Sequence, residues 1–395
     1  MNDRSLITLC APVHTHKEGQ AQIAFKILNL NPKANTSLWF EIPEEFRAFL
    51  SERSDAGMIS MIVPAMQANK DLFIEGVVSK KLLAEINTGK FQEILIRAMP
   101  KLKRITVRAE STRDQPEIKP QYKSMGFSAG GDSFATLLAS SSLGIKEFTH
   151  LTHYDVGSHG RGKAGKKVFQ TRVVRVQSAA RKIGLPVIPV NSNLNDFYDK
   201  ETDFISTSVV RNAAATLVIQ RGMAEYVFSG AYHRRRQGIL LKGDITRAED
   251  EFTPLLSTES LKFSVFGSDM TRAEKIVLIA KHPITYDLLD VCMEPRKVRN
   301  KINCSTCYKC LRAMINLEIL GQLDSYAPVF DLKLYRRLRW WALAQFLNGA
   351  EESRAETEAL ARETGFEFPA FSKFCARPIP FWFARFAKKV IERIP

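Results

Sequence analysis

Polar and apolar residues alternate over 37–42 and 103–108, the period of a strand with one buried face, while 43–50 and 79–86 repeat at helical spacing. Ser79 stands where an N-cap belongs. Residues 1–115 therefore predict an α+β domain without a chemical signature. The polar, Pro-bearing segment 111–120 predicts a linker. Beyond it the pattern becomes a regular alternation: strand 124–127, helix 132–142, strand 147–152, helix 168–183, strand 187–190, helix 208–219 and strand 225–229. Short apolar strands separated by helices build an α/β, doubly wound, mostly parallel sheet, with ligands at the carboxyl ends of its strands. Residues 122–290 are expected to form this domain. They include a last helix, 270–280, with an apolar stripe at Ile276, Val277, Ile279 and Ala280. Residues 291–395 predict a helical C-terminal region with helices at 311–320 and 335–347.

Composition and charge narrow the classes. A chain of 395 residues, 45% hydrophobic and 25% charged, has room for two or three ordinary globular cores. Lys and Arg exceed Asp and Glu by 57 to 42, a net charge of +15, which favours polyanionic partners such as nucleotides, nucleic acid or an anionic membrane surface. The first residues lack a long apolar core and a cleavage site, and no apolar run reaches the roughly 18 residues a membrane span needs. A cytoplasmic location is expected.

The most informative chemistry lies at 125–138. Gly130 and Gly131 allow a tight turn that brings backbone N–H groups close to an anion, and the helix that follows adds its positive N-terminal end. Asp132 would repel bare phosphate, so its presence calls for a bridging divalent cation, and the expected ligand is a Mg²⁺-nucleotide. The segment 160–167 nearly spells a second phosphate loop. It ends in Lys167, however, where a hydroxyl ligand for Mg²⁺ would be required. It is expected to be a mobile basic loop, either folding over an acidic ligand or simply solvated.

Four of six cysteines cluster: Cys292, Cys304, Cys307 and Cys310, with Cys10 and Cys375 apart. Three thiolates on a tight knuckle and one from a preceding segment supply a tetrahedral set suited to structural Zn²⁺, with no position left open for chemistry. An iron–sulfur cluster is the chemical rival.

Ser128, Ala129, Gly130, Gly131, Asp132 and Ser133 together resemble the Ser-Gly-Gly-x-Asp-Ser signature of the PP-loop ATP pyrophosphatases, with Ala129 departing from it. The downstream Cys-x-x-Cys-x-x-Cys-Leu-Arg knuckle is similar to that of the 7-cyano-7-deazaguanine synthase branch, over residues 122–320. The resemblance implies an ATP-dependent, ligase- or amidotransferase-like enzyme. It would adenylate a carboxylate or amide carbon and release pyrophosphate, after which ammonia, an amine or a sulfur donor would attack. In that reading the backbone of 129–133 holds pyrophosphate, the Ser128 and Ser133 hydroxyls assist, and Asp132 orients Mg²⁺. Tyr154, Ser229 and Gly230, at strand ends, would border the adenosine. Arg272 and Lys275 either face the leaving pyrophosphate or pair with Glu274 and other acids on the surface.

Two rival functions stand beside this one. A PP-loop enzyme that modifies tRNA or other nucleic acid is favoured by the charge and by the basic runs 161–167 and 234–236. A regulatory protein that binds ATP without turning it over would suit the altered loop. The aromatic, basic tail 378–395 is expected either to pack on its own domain or a subunit partner, as in a homo-oligomer, or to lie on an anionic membrane.

Overall fold

The computed structural model describes residues 6–30, 36–142, 148–236, 243–348, 351–370 and 372. The chain divides into two compact units: residues 1–127 with 146–269, and residues 128–145 with 270–395. This division cuts across the expected boundaries at 115 and 290.

The first unit begins with strands β1 (Ile7–Leu9), β2 (Val13–Lys17), β3 (Gln20–Leu28) and β4 (Ser37–Pro43). In β4 the predicted alternation is realised, with Leu38 and Phe40 buried, and β3, not anticipated from the sequence, alternates likewise with Ile23 and Phe25 buried. Helix α1 (Asp55–Ala68) is buried on every side, so its sequence carries no amphipathic period to read. It contains Pro64, whose missing N–H leaves the Ser60 carbonyl without its helical donor. The Tyr198 hydroxyl fills that place, donating to Ser60 O at 2.9 Å.

Strand β5 (Leu72–Ser79) leads into α2 (Lys80–Asn87), and Ser79 caps α2 as expected, its Oγ accepting from Leu82 N. Helix α3 (Lys90–Ala98) precedes β6 (Val107–Arg113). The strand expected at 103–108 thus starts later and runs into the expected linker. Gln92 explains the shift, because its side chain accepts from Ile105 N and donates to Ile105 O, holding that residue out of the ladder.

Strand β7 (Tyr122–Gly126) is followed by α4 (Gly131–Ser142), β8 (His150–Tyr154), α5 (Gly162–Ile183), β9 (Val187–Ser192), α6 (Phe204–Val218) and β10 (Met223–Ser229). A short turn α7 (Glu249–Phe252) precedes β11 (Lys262–Phe266), a strand that the pattern reading did not anticipate. Residues 162–167, expected as a mobile basic loop, form the first turns of α5. Gly165 is required there, since a Cβ would lie 2.6 Å from the carbonyl of Gly160. The near-match to a phosphate loop is thus a helix start.

Among the described residues all eleven strands join one mostly parallel sheet, in the order β11-β10-β7-β8-β9-β4-β3-β1-β5-β6, with β2 paired to β3. The five strands from β11 to β9 are parallel, as α/β alternation requires. An antiparallel contact, Phe40 opposite Ser192 and Glu41 opposite Asn191, fuses them to the N-terminal strands. The α/β class is therefore present, in a sheet that absorbs the expected N-terminal domain.

The second unit is helical. It comprises α4 with α8 (Arg272–Ala280), α9 (Tyr308–Ile319), α10 (Leu332–Leu347) and α11 (Glu351–Thr364). Thr271 and Glu274 form a reciprocal capping box at the start of α8. Apolar side chains of α9 and α10, including Met314, Ile315, Leu317, Leu338 and Leu343, fill the core of this unit. The tail 378–395, read as a packing or membrane segment, lies outside the described residues. Among the described residues no helix is long and apolar enough to cross a membrane.

Candidate anion and metal sites

The loop Ser128–Ser133 belongs to the second unit. Ala129 has φ 57°, the left-handed region that disfavours a Cβ, and is buried. The turn is therefore made despite the alanine, held by Asp290 N donating to Ala129 O at 2.8 Å. Gly130 N donates to Ser128 Oγ at 3.3 Å, and the Ser133 hydroxyl donates to Gly130 O at 3.0 Å. Both hydroxyls thus brace the loop's own backbone. Phe134 N donates to Gly130 O at 2.9 Å and closes the first turn of α4, which leaves the first N–H groups of the helix at the loop, as at any helix start.

Asp132 is the centre of a charged cluster. Lys275 Nζ lies 3.0 Å from Asp132 Oδ1, with the lysine side chain 2% exposed and the aspartate 42%. Lys275 is therefore not on the surface, and Glu274 serves the capping box instead of pairing with it. Partial burial pushes the Asp132 carboxyl up, but the Lys275 ammonium and the Arg272 and Arg312 guanidiniums outweigh it and hold it below the usual carboxylate range. Arg272 N also donates to Glu356 Oε2 at 3.2 Å.

Lys309 and Arg312 were not expected beside the 128–133 loop from sequence, where Lys309, with Lys301, reads only as offsetting the charge of the four thiolates. Lys309 and Arg312 lie three apart on α9, on one face. Both are within electrostatic reach of Arg272 and Asp132. Burial, then the nearby Arg272, lowers the Arg312 pKa from its usual value. The Arg312 Nη1 atom is buried without a hydrogen-bond partner. Such an orphan donor costs about 1–3 kcal/mol unless something accepts from it. Four cations, Arg272, Lys275, Lys309 and Arg312, thus lie around Asp132, with Glu356 near Arg272 and Arg312. The surplus suits an anion.

Cys292, Cys304, Cys307 and Cys310 are buried, and their Sγ atoms all lie within 4.8 Å of one another. Tetrahedral thiolates around zinc are about 3.8 Å apart, from Zn–S bonds of about 2.3 Å; here Cys304 to Cys310 is 3.9 Å and Cys307 to Cys310 is 3.3 Å. The four cysteines can hold a metal ion. The four thiols titrate as one set: hydrogen bonding among them lowers Cys304 and Cys307 and raises Cys292 and Cys310. The knuckle is tied to the 128–133 loop through a short chain of bonds. Asp290 Oδ1 accepts from Cys292 N at 3.2 Å, and the Asp290 N–H holds Ala129 O. Asn303 Oδ1 accepts from Val291 N at 2.9 Å and its Nδ2 donates to Leu289 O at 2.7 Å.

The remaining expected residues lie in the first unit. Tyr154 is a core residue, its hydroxyl 3.0 Å from Thr216 Oγ1 and its ring stacked near Tyr226. The Ser229 Oγ is buried without a hydrogen-bond partner. Gly230 is sterically fixed, because a Cβ would meet Ser268 N at 3.0 Å. His153 is also interior, its Nδ1 3.0 Å from Phe127 O, and burial drops its pKa to about 3. Arg234, of the expected basic run, pairs with Asp250 at 3.3 Å.

Comparison with protein-family models, with curated proteins and with solved structures finds no match to this chain.

Proposed function

We propose that the second unit binds the phosphates of ATP at 128–133 and that the protein is a PP-loop-type ligase. A carboxylate or amide oxygen of the acceptor takes the adenylyl group as pyrophosphate leaves, and the nucleophile then displaces AMP from the activated carbon. The observation that carries this reading is the buried, unpartnered Nη1 of Arg312 among four cations beside the loop. Lys275, Arg272 and Arg312 would stabilise charge developing on the leaving pyrophosphate as donors already fixed in place. The left-handed Ala129 and the bracing hydroxyls of Ser128 and Ser133 keep the loop N–H groups in place. Asp132, ionised and partly exposed, is the residue that would hold Mg²⁺, which when bound supplies electrostatic neutralisation of the phosphates. The Cys292, Cys304, Cys307 and Cys310 set is assigned to a structural zinc ion that anchors the loop through Asp290. About one zinc per chain is expected on metal analysis of the purified protein; iron in its place would replace that assignment.

The products of ATP turnover test the reaction. With Mg²⁺, ammonium and a low-molecular-mass cell fraction as the source of acceptor, AMP and pyrophosphate are the expected products. ADP and phosphate would contradict the proposal.

A second reading, a nucleic-acid-modifying enzyme of the same class, is favoured by α5. Its 22 residues carry seven basic side chains and no acidic one, with Lys163, Lys166, Lys167, Arg181 and Lys182 exposed. RNA binding that weakens steeply with salt would select it.

A further inference from the structure

Strand β11 is an outer strand of the sheet, and a solvent-open pocket of about 780 Å³ lies against Lys262–Val265. Four cations contribute to its walls, Lys81, Arg234, Arg247 and Lys262, against two acids, Asp250 and Glu251. Both acids are already engaged. Asp250 Oδ2 accepts from Arg234 Nε at 3.3 Å and from Ser268 Oγ at 3.1 Å. Glu251 pairs with Lys90 at 3.6 Å and Arg97 at 3.1 Å, two cations outside the cavity lining. Lys81 and Lys262 have no carboxylate within salt-bridge distance among the described residues. Arg247 is held in place by its guanidinium lying 4.4 Å over the Tyr232 ring, and the Tyr232 hydroxyl donates to Asp244 Oδ2 at 2.8 Å.

Like charges gathered around one pocket repel unless an opposite charge enters. Phe263, Val265 and Pro254 give it an apolar side. The edge of β11 is also closed to a pairing strand at Phe263, whose N–H is taken by Ser257 Oγ at 3.0 Å, which disfavours an added peptide strand. The volume is within the roughly 300–1,000 Å³ of small-molecule sites. We propose that this cavity binds a small organic polyanion, carrying carboxylates or phosphates on an apolar body. The site uses residues of the first unit alone and stands whether or not 128–133 binds ATP.

Calorimetric titration of the full chain with citrate and, separately, with fructose 1,6-bisphosphate tests it and distinguishes carboxylate from phosphate. At least one probe should bind with one-to-one stoichiometry. Its affinity should fall about tenfold or more in the Lys81→Gln/Lys262→Gln double variant, and again in Arg247→Gln made alone, with melting temperatures unchanged. It should be unaltered in Arg312→Met. Neither probe binding at about 10 mM, or equal affinity in wild type and all cavity variants, would overturn the proposal.

Discussion

Ala129 adopts a left-handed conformation at φ 57°, which costs a non-glycine residue about 1–2 kcal/mol. The hydrogen bond from Asp290 N and the burial of its methyl group offset that cost. Replacing it by glycine removes the strain but also the buried methyl and adds freedom to the unfolded chain, so Ala129→Gly is expected to stay within about 1 kcal/mol of wild type. Ala129→Val, β-branched in a left-handed position, is expected to destabilise by about 2 kcal/mol or more. Urea denaturation measures both, and a neutral valine would show that the turn is not held as described. The glycines and the acid of this loop were legible in the sequence because their chemistry is local. Arg312 was not, because its meaning depends on α9 lying beside α8, which no spacing within 128–133 reveals.

Elements with a period were legible and those without one were not. β4 buries alternate residues and was read from 37–42, whereas α1 is buried all round and offers no period. The internal Pro64 of α1 argues against a helix from sequence alone; only the tertiary donor, Tyr198, makes it tolerable. The two should be coupled. Tyr198→Phe leaves the Ser60 carbonyl unpaired and is expected to cost about 1–2 kcal/mol, whereas in a Pro64→Ala background the restored N–H accepts that role and the cost should fall by about 1 kcal/mol. A double-mutant cycle by chemical denaturation reads the difference; additive effects would mean that the tyrosine acts through packing instead. The basic run 160–167 was misread because its glycines suggested a loop, while the helix of which it is the start draws its stability from Phe169, Val176 and Ala180 further along.

At the scale of the molecule, the sheet of the first unit is braced by a buried polar node. Asp55 accepts from Ser79 N at 2.7 Å and from Gln220 Nε2 at 2.8 Å, and Gln220 Oε1 accepts from Thr258 Oγ1. Burial raises the Asp55 carboxyl to about 6, against lowering by the Ser79 and Gln220 hydrogen bonds and by Arg53. A carboxyl whose folded pKa exceeds its unfolded value binds protons better when folded. Its contribution is therefore full below about pH 4 and is lost as pH rises through about 6, by up to about 2–3 kcal/mol. Stability followed between pH 4 and 7 should show this fall in the wild type and a flatter profile in Asp55→Asn. Equal slopes would place the titration elsewhere.

The second unit carries the central claim, that its loop and cations form a site for the phosphates of ATP, and one titration tests it most directly. Calorimetry of wild type and Arg312→Met with Mg²⁺ and α,β-methylene-ATP should show one-to-one binding that weakens about tenfold or more in the variant, because Nη1 gains its acceptor only when phosphate is bound. Binding of equal strength in the two proteins, or none in the wild type, would contradict it.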